Sequence, residues 1–339
     1  MKNKIFVVAE LSANHNQNLQ IALDTIEAMK ESGTDAVKLQ TYTPDTLTII
    51  SSKNYFQIKS DTLWDGKSLY DLYKEAYTPW EWHKELFDKA RSLDLICFST
   101  PFDNSAVDFL ETLGNPIYKV ASFEIQDLPL IEYIASKGKP VIISTGIAEL
   151  KDIELAIAAC KNTGNRDVAL LKCTSAYPAP FEEANLKTIP DLAEKFGVVS
   201  GLSDHTLGIS VPIAAAALGA KIIEKHFILD RKLGGPDSAF SLEPHEFKTM
   251  VNAIREVEKA LGKVTYELSE KVKSNRVFSR SLFVVKNIKK GDIFTRENIR
   301  SIRPGYGLHP KYYFEILGKT ASCDIEEGEP LKWEYIIKK

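Results

Sequence analysis

Short apolar, mostly β-branched runs recur along the first 230 residues and alternate with segments of helical periodicity. The runs are IFVVAE (5–10), AVKLQ (36–40), LICFST (95–100), IYKVAS (117–122), PVIIST (140–145), VALLKCT (168–174), VVSGLS (198–203) and KIIEKHF (221–227). Several of the intervening helical patterns end at a glycine, which is a common helix stop. Eight strands alternating with helices predict a (β/α)8 barrel, with a doubly wound open sheet as the alternative.

The predicted strands are apolar almost throughout, as in a parallel sheet buried on both faces, but each ends in polar or ionisable residues. Barrels of this kind build their active sites at the carboxyl ends of the strands. An open sheet would instead gather its chemistry around one switch point. The distribution therefore favours the barrel and predicts an enzyme.

Two further segments stand outside this alternation. Residues 43–78 are rich in aromatic residues and are too long for a bare connection, so they either cover the mouth of the barrel or form a packed surface subdomain.

After residue 262 the pattern changes, and NIKKGDIFTRENI (287–299) aligns with DIEEGEPLKWEYI (324–336). We predict a barrel over 1–265, a linker over 266–279 and a pseudo-symmetric small β domain over 280–339.

The composition, with 339 residues, 44% hydrophobic and 26% charged, is that of an ordinary globular protein. No apolar run approaches the roughly 20 residues that span a bilayer, and the N-terminus does not read as a signal peptide, so we expect a cytoplasmic protein without membrane association. The four cysteines are widely spaced and contain no CxxC pair. We expect neither disulfides nor structural zinc.

The formal charge of −3 conceals an asymmetry. Residues 271–339 carry fifteen Lys and Arg against eight Asp and Glu, whereas residues 1–270 carry 28 against 38. The basic residues of the tail are dispersed among acidic and apolar ones and lack aromatic stacking motifs, which argues against nucleic-acid binding. A tail that docks onto the acidic part, or that meets an anionic substrate, is the favoured interpretation.

His205 and His226 are the strongest metal candidates, because each closes a predicted strand and the two strands are adjacent, about 4.8 Å apart. A structural role is the alternative for either histidine. No cysteine accompanies the two histidines as a thiolate partner. A labile catalytic ion such as Mn²⁺ or Mg²⁺ therefore fits better than structural zinc.

Lysines inside apolar strands need an anion, and Lys38 and Lys119 are both of this kind. With Thr100, Ser122 and Ser144 they could cradle a phosphate, or they could simply pair with carboxylates at the strand ends. Lys119 could also form a Schiff base, as in an aldolase. Glu10 and Glu124 close strands one and four and are candidate general acids or bases, and Asp237 follows a glycine-rich turn close to the second histidine.

A series of motifs covers nearly the whole chain: AELSANHN (9–16), AVKLQTY (36–42), STPF (99–102), YKVASFE (118–124), STG (144–146), LKCTSAYP (171–178), GLSDHTLG (201–208), EKHF (224–227), GGPD (234–237) and IRPGYGLHP (302–310). In these motifs the chain resembles the sialic acid synthase family. The resemblance implies a (β/α)8 barrel joined to an antifreeze-like SAF domain. It also implies a metal-dependent condensation of phosphoenolpyruvate with an amino sugar, in a homodimer whose small domain reaches over the partner's barrel.

Carried over by position, the resemblance implies roles for individual residues. His205 and His226 would be metal ligands, with Mn²⁺ as the first candidate and Mg²⁺ or Co²⁺ as alternatives, and Glu10 and Glu124 would be the catalytic carboxylates. The phosphoenolpyruvate-binding set would be Lys38, Thr100, Lys119, Ser122, Ser144 and Ser203. Gln40, Tyr177 and Asp237 would face the sugar, and Arg303 would reach the partner's substrate.

Departures from the family's N-acetylneuraminate pattern bear on the sugar. The run AELSANHNQN (9–18) has Leu11 and Ser12 where Ala and Gly are usual, and Phe123 stands where glycine is common. Greater bulk and lower polarity suit a 6-deoxy sugar, and the runs 38–48 and 63–83 are most similar to family members that use 2,4-diacetamido-2,4,6-trideoxy-L-altrose. The alternatives are another N-acetylated sugar of the neuraminate or legionaminate type, a Schiff-base aldolase, and a noncatalytic sugar-binding or ice-binding module.

Overall fold

The computed structural model describes residues 4–59 and 63–337. The chain separates into two compact units, Met1–Gly262 and Lys263–Lys339. In the described part of the chain no helix is long and apolar enough to cross a membrane.

The first unit is a closed barrel of parallel strands, each paired with the next and the last paired with the first. The strands are β1 (Phe6–Glu10), β2 (Ala36–Thr41), β3 (Ile96–Pro101), β4 (Tyr118–Val120), β5 (Val141–Ser144), β6 (Val168–Cys173), β7 (Val199–Asp204) and β8 (Ile222–His226). Because β8 pairs with β1, the predicted barrel is confirmed and the open sheet is excluded.

Helices surround the barrel and connect its strands. Those of the first unit are α1 (Leu19–Glu31), α2 (Pro44–Leu47), α3 (Leu69–Ala76), α4 (Trp80–Ser92), α5 (Asn104–Thr112), α6 (Leu128–Ala135), α7 (Leu150–Asn162), α8 (Thr188–Phe196), α9 (Ser210–Ala217) and α10 (Pro244–Leu261). Helix α1 shows why they form: Asn18 caps its first turn, and Ala22, Ile26 and Met29 form a buried stripe at helical spacing.

The barrel interior changes from apolar to ionic along the strands. Near the amino ends of the strands a small apolar cluster fills it, with members from six strands, namely Val8, Ala36, Phe98, Ile142, Ala169, Leu171 and Ile222. Two residues further along three of these strands the same interior face carries Glu10, Lys38 and Glu224, all buried. Since side chains alternate with period two, one register places an apolar floor beneath a charged layer.

Outside the barrel, a second buried ion pair ties β7 to β8. Lys225 is fully buried and donates to the Asp204 carboxylate and to the Thr206 carbonyl oxygen. Asp204 and Lys225 are register partners on adjacent strands. The pair therefore fixes the carboxyl ends of two strands, β7, which His205 follows directly, and β8, which ends at His226.

We predict that Lys225→Met lowers the free energy of unfolding by about 3 kcal/mol, because the Asp204 carboxylate stays buried without its cation. Guanidinium unfolding followed by circular dichroism measures this difference. Lys221→Met, at an exposed position at the start of the same strand, serves as the control. Equal unfolding free energies for the two variants would contradict the prediction.

The second unit contains α11 (Glu270–Ser274), β9 (Ser281–Val284), β10 (Ile299–Ile302) and α12 (Tyr313–Ile316). The segment predicted as a linker, 266–279, thus includes a short helix. The repeat is visible in the contacts: Ile288 and Ile325, equivalent positions of the two copies, form an antiparallel bridge with both backbone hydrogen bonds. Phe294 and Leu331, also equivalent, are both buried in the core of this unit.

Candidate active site

A buried ionic network lies above the apolar floor of the barrel. The Lys38 ammonium is 2.6 Å from Glu10 Oε2 and 3.0 Å from Glu224 Oε1. Ser203 donates to Glu224 Oε1 at 3.0 Å, while Glu224 Oε2 has no hydrogen-bond partner among the described residues. Lys38 therefore pairs with carboxylates, which was one of the two interpretations of its sequence position.

A second lysine faces β5. Lys119 Nζ donates to Ser144 Oγ at 2.7 Å and lies 3.7 Å from Glu224 Oε1. Burial lowers the pKa of Lys119, and the charge of Lys38 acts in the same direction. Ammonium and hydroxyl groups at this end of the barrel are suited to an anionic group.

Gly146 completes this corner of the site. Its backbone N–H donates to Ser122 Oγ at 3.1 Å. A Cβ atom at this position would lie 2.1 Å from Ser175 Oγ and 2.7 Å from Ser122 Oγ, so only glycine allows the backbone to approach these hydroxyls. The turn after β5 thus brings a backbone amide and two serine hydroxyls together.

The two candidate carboxylates lie in different electrostatic environments. Burial alone would raise the pKa of Glu10, but the Lys38 cation and hydrogen bonds from Lys38 and Gln40 lower it overall. Glu124 is half-buried, and its Oε2 is out of solvent without a hydrogen-bond partner among the described residues. Burial raises the pKa of Glu124 to about 7, although Lys119 lowers it in part. Glu124 is therefore poised to exchange a proton near neutral pH, whereas Glu10 stays ionised.

His205 and His226 converge, with ring centroids 5.3 Å apart and both side chains buried. His205 Nδ1 lies 3.1 Å from the Thr174 carbonyl oxygen, which can only accept, so the neutral form of the ring carries its proton on Nδ1 and leaves Nε2 for a ligand. His226 Nδ1 has no hydrogen-bond partner within the described residues, and Asp237 Oδ2 lies 3.6 Å from it.

These two imidazoles fit a divalent metal ion. A buried imidazole nitrogen without a partner is costly unless a ligand satisfies it, and neutral imidazole is a common ligand for transition metals. Burial lowers the pKa of His226 well below its ordinary value, so its ring is neutral. Residues 4–59 and 63–337 contain no cluster of three or more His, Cys, Asp or Glu side chains arranged to hold a metal. An ion held by the two histidines would thus need further oxygen ligands from water or substrate.

A third group of side chains joins β1, β2 and the loop after β8. Gln40 Nε2 donates to Glu10 Oε1 at 2.7 Å and to Ser12 Oγ at 3.0 Å. Ser12 Oγ in turn donates to Asp237 Oδ2. Tyr177 packs beside this group, with its ring centroid 4.5 Å from that of His205.

The lysines, carboxylates and histidines described above, together with Ser122, Ser144 and the group around Gln40 and Ser12, line one cavity of about 400 Å³ at the carboxyl ends of the strands. Segment 43–78 supplies much of its apolar wall through Leu47, Ile58, Leu69, Leu72 and Ala76. Trp64 of the same segment donates from Nε1 to the Pro236 carbonyl oxygen at 3.1 Å. The segment therefore walls the mouth of the barrel, as one of its two interpretations held.

Twelve of the fourteen predicted site residues line this cavity: Glu10, Lys38, Gln40, Lys119, Ser122, Glu124, Ser144, Tyr177, Ser203, His205, His226 and Asp237. Thr100 is buried on β3 beside Gln40 but is not among the lining residues, and Arg303 is exposed in the second unit. The structure brings the twelve together, while their individual roles stay predictions. Sequence reasoning missed Glu224, although its position two residues before His226, on the same strand face, was a usable signal.

Comparison with known proteins assigns the family. The family model described as "NeuB family" matches residues 25–266, and the model described as "SAF domain" matches residues 279–336. The chain belongs to the NeuB family. It is thus a member of the group that its motifs resemble, and the predicted SAF domain is confirmed.

Similar proteins match this NeuB family member over nearly its whole length. The pseudaminic acid synthase of Campylobacter jejuni subsp. jejuni serotype O:23/36 (strain 81-176) is 51% identical over 97% of this chain and 96% of its own length. The pseudaminic acid synthase of Helicobacter pylori (strain ATCC 700392 / 26695) is 52% identical over 97% of both chains. The crystal structure of the spore coat polysaccharide biosynthesis protein SpsE from Bacillus subtilis is 34% identical, covers 99% of this chain and 96% of its own, and superposes with a TM-score of 0.66.

Proposed function

We propose that this protein condenses phosphoenolpyruvate with 2,4-diacetamido-2,4,6-trideoxy-L-altrose and water, giving pseudaminic acid and phosphate. The observation that carries the proposal is the cavity itself, in which a lysine and serine corner, a histidine pair and an apolar wall face one another. Two relatives from different organisms, each about half identical over nearly the whole chain, are named pseudaminic acid synthase. That agreement supports the same sugar here.

The polar corner suits phosphoenolpyruvate. Lys119, Ser122 and Ser144 would hold its phosphate, with the Gly146 amide orienting the Ser122 hydroxyl. Lys38 would exchange a carboxylate partner for the substrate anion. Ser203 would complete the binding set from β7. Thr100 would join it from β3 only by turning its buried Oγ1, which has no hydrogen-bond partner among the described residues, toward the cavity. Fixing the phosphate orients C3 of the enol toward the sugar aldehyde, which lowers the barrier by positioning.

The proposed reaction forms one C–C bond and breaks one C–O bond. C3 of phosphoenolpyruvate attacks C1 of the open-chain sugar, forming the new C–C bond and leaving an oxocarbenium centre at C2. Water adds to C2 and gives up a proton, and the aldehyde oxygen gains one. The C2 hydroxyl then forms the C2 ketone as the C2–O bond to phosphate breaks, and the departing phosphate takes the bonding electrons and the hydroxyl proton. Glu124, with an ionisation near neutrality, would accept the proton from water.

A divalent ion fits the remaining side of the cavity, with His205 and His226 as its protein ligands and Mn²⁺ as the first candidate. When bound, such an ion supplies Lewis-acid polarisation of the sugar carbonyl. Gln40, Tyr177 and Asp237 would bind and orient the hydroxyl and acetamido groups of the sugar. The apolar wall of segment 43–78 would receive its C6 methyl group.

A phosphate-release assay tests the proposed reaction. Purified protein is incubated with phosphoenolpyruvate and, separately, with the trideoxy-altrose derivative, N-acetylmannosamine and the legionaminate precursor sugar, with and without EDTA. We expect rapid phosphate release from the first sugar, at least tenfold slower release from the others, and loss of turnover in EDTA. Preference for another sugar would assign a neuraminate or legionaminate synthase instead.

The aldolase alternative predicts a different pattern. A Schiff base on Lys119 would be trapped by borohydride in the presence of pyruvate and would be indifferent to EDTA. That result would overturn the proposed chemistry. No phosphate release with any sugar would favour a noncatalytic binding module.

The raised pKa of Glu124 predicts a pH profile. If the ionised carboxylate accepts a proton, kcat/KM is low below pH 7 and rises as the pH passes through about 7. We expect Glu124→Gln to remove this ascending limb and to lower kcat/KM by about 10² to 10³ fold. A variant that keeps the limb would show that another group titrates.

We further propose a homodimer in which the SAF domain of one subunit covers the barrel mouth of the other. Large apolar side chains are exposed on the loops after β2, β4, β5, β6, β7 and β8, namely Ile49, Tyr55, Phe123, Ile147, Phe181, Leu207 and Leu233. A ring of exposed apolar residues around a cavity is typical of an interaction surface. The partner's tail would bury this ring and present the partner's Arg303 to the carboxylate of the substrate.

A further inference from the structure

The loop that follows β1 is bonded to the segment after β8 through alternate residues. Ser12 donates to Asp237, Asn14 donates to the Phe227 carbonyl oxygen and to Ser241 Oγ, and Asn16 donates to the Leu233 carbonyl oxygen. Every second side chain of this loop thus points toward the same neighbour. The loop is built to hold the segment that carries Asp237.

Ser12 holds its position at a conformational cost. Its φ is +47°, in the left-handed region, where a residue with a Cβ is strained by roughly 1 kcal/mol or more and glycine is not. Asn16 and Gln17 of the same loop share this conformation, so the contacts of the Ser12 hydroxyl, and not the strain alone, distinguish Ser12.

That hydroxyl is buried and lies in the middle of a hydrogen-bond chain. Ser12 is 3% exposed, and its Oγ accepts from Gln40 Nε2 and donates to Asp237 Oδ2. The adjacent Ala13 N–H also hydrogen-bonds the Asp237 carboxylate. The left-handed turn thus aims a hydroxyl and a backbone amide at one carboxylate, and that carboxylate is 3.6 Å from His226 Nδ1.

We propose that Ser12 is a positioning residue for the sugar side of the site, fixing the Gln40 amide and the Asp237 carboxylate relative to each other. This inference rests on the proposed function. The hydroxyl serves both neighbours at once because it accepts from one and donates to the other, and chained hydrogen bonds of this kind reinforce each other.

The geometry directs the effect mainly to one substrate, although Lys38 connects with Ser12 through Glu10 and Gln40. Ser12 lies just after β1 and Gln40 lies on β2, whereas Ser144 ends β5. In a closed barrel of eight strands β1 and β5 lie on opposite sides. Loss of the Ser12 hydroxyl should therefore disturb binding and turnover of the sugar and leave the phosphoenolpyruvate corner intact.

The test compares Ser12→Gly with Ser12→Ala by steady-state kinetics in both substrates. Glycine removes the hydroxyl and the backbone strain together, whereas alanine removes the hydroxyl and keeps the strain. We expect both variants to lower kcat/KM for the sugar by about 10- to 100-fold, as for a lost hydrogen bond to a charged group, with KM for phosphoenolpyruvate within about threefold of wild type. Ser12→Gly should melt no lower than Ser12→Ala.

Asp94→Gly is the matched control. Asp94 is exposed, has φ +53°, and precedes β3 at the end of the barrel away from the cavity, so its replacement should leave both kinetic constants unchanged. Wild-type sugar kinetics in Ser12→Gly, or equal losses for both substrates, would overturn the inference alone. A wild-type protein that releases no phosphate with any sugar would overturn the proposed function and this inference with it.

Discussion

Replacing His226 by alanine is expected to lower turnover by at least about 10³-fold, because the barrel then lacks one of the two imidazoles that would hold the metal. The structural basis of the expectation is the Nδ1 atom of this buried ring, which has no hydrogen-bond partner within residues 4–59 and 63–337. Isothermal titration calorimetry with Mn²⁺ measures binding without relying on turnover, and we expect the binding heat to disappear in His226→Ala and in His205→Ala.

His245→Ala is the matched control for this pair, since the His245 side chain is 77% exposed on the first turn of α10 and lies outside the cavity. It should bind Mn²⁺ and turn over like wild type. If His226→Ala kept full, EDTA-sensitive turnover and an unchanged binding heat, the assignment of the metal ligands would be wrong.

The second large effect concerns Arg303 and requires two subunits. We expect Arg303→Ala and His226→Ala to be inactive when each is made alone. A mixed swapped dimer combines one subunit of each kind. The Arg303→Ala subunit has an intact barrel and receives an intact Arg303 of the partner subunit, which carries His226→Ala. One of the two sites is therefore restored. Random pairing at equal amounts then returns about a quarter of wild-type activity.

Coexpression of the two variants with different affinity tags supplies the mixed dimer, and the phosphate-release assay measures the recovery. If Arg303 acted on its own subunit, each site would lack either the arginine or the histidine, and the mixture would stay inactive. Coexpression of Arg303→Ala with wild type controls for expression level. A monomer by light scattering, with full activity, would also contradict the swapped arrangement.

Much of the site could be predicted because strand periodicity makes positions explicit. His205 and His226 end adjacent predicted strands, and the closed barrel places their rings 5.3 Å apart. Lys38 and Lys119 stood out as cations in apolar runs, and both are buried in the ionic layer. Their roles toward a ligand stay predictions, since the pattern says only that an opposite charge must be near.

Other features could not be predicted from local pattern. Glu224 of β8 contacts Lys38, Lys119 and Ser203 only because the folded barrel brings β2, β4 and β7 close to it. The different pKa values of Glu10 and Glu124 arise from a lysine partner in one case and from burial without a partner in the other. The left-handed backbone of Ser12 is likewise a property of the folded loop.

The sequence pattern by itself determined the eight-stranded barrel, a small β domain with an internal repeat, and the candidate residues at the strand ends, while the SAF assignment came from the resemblance to a known family. It could do so because hydrophobic periodicity and strand-end polarity are local properties of the chain. Only the tertiary structure decided which of these residues contact each other. It also decided that Glu10 pairs with a lysine, whereas burial raises the pKa of Glu124 to about 7. Those outcomes depend on distances of a few ångströms between strands far apart in the chain, and both burial and Coulomb interactions change steeply over such distances.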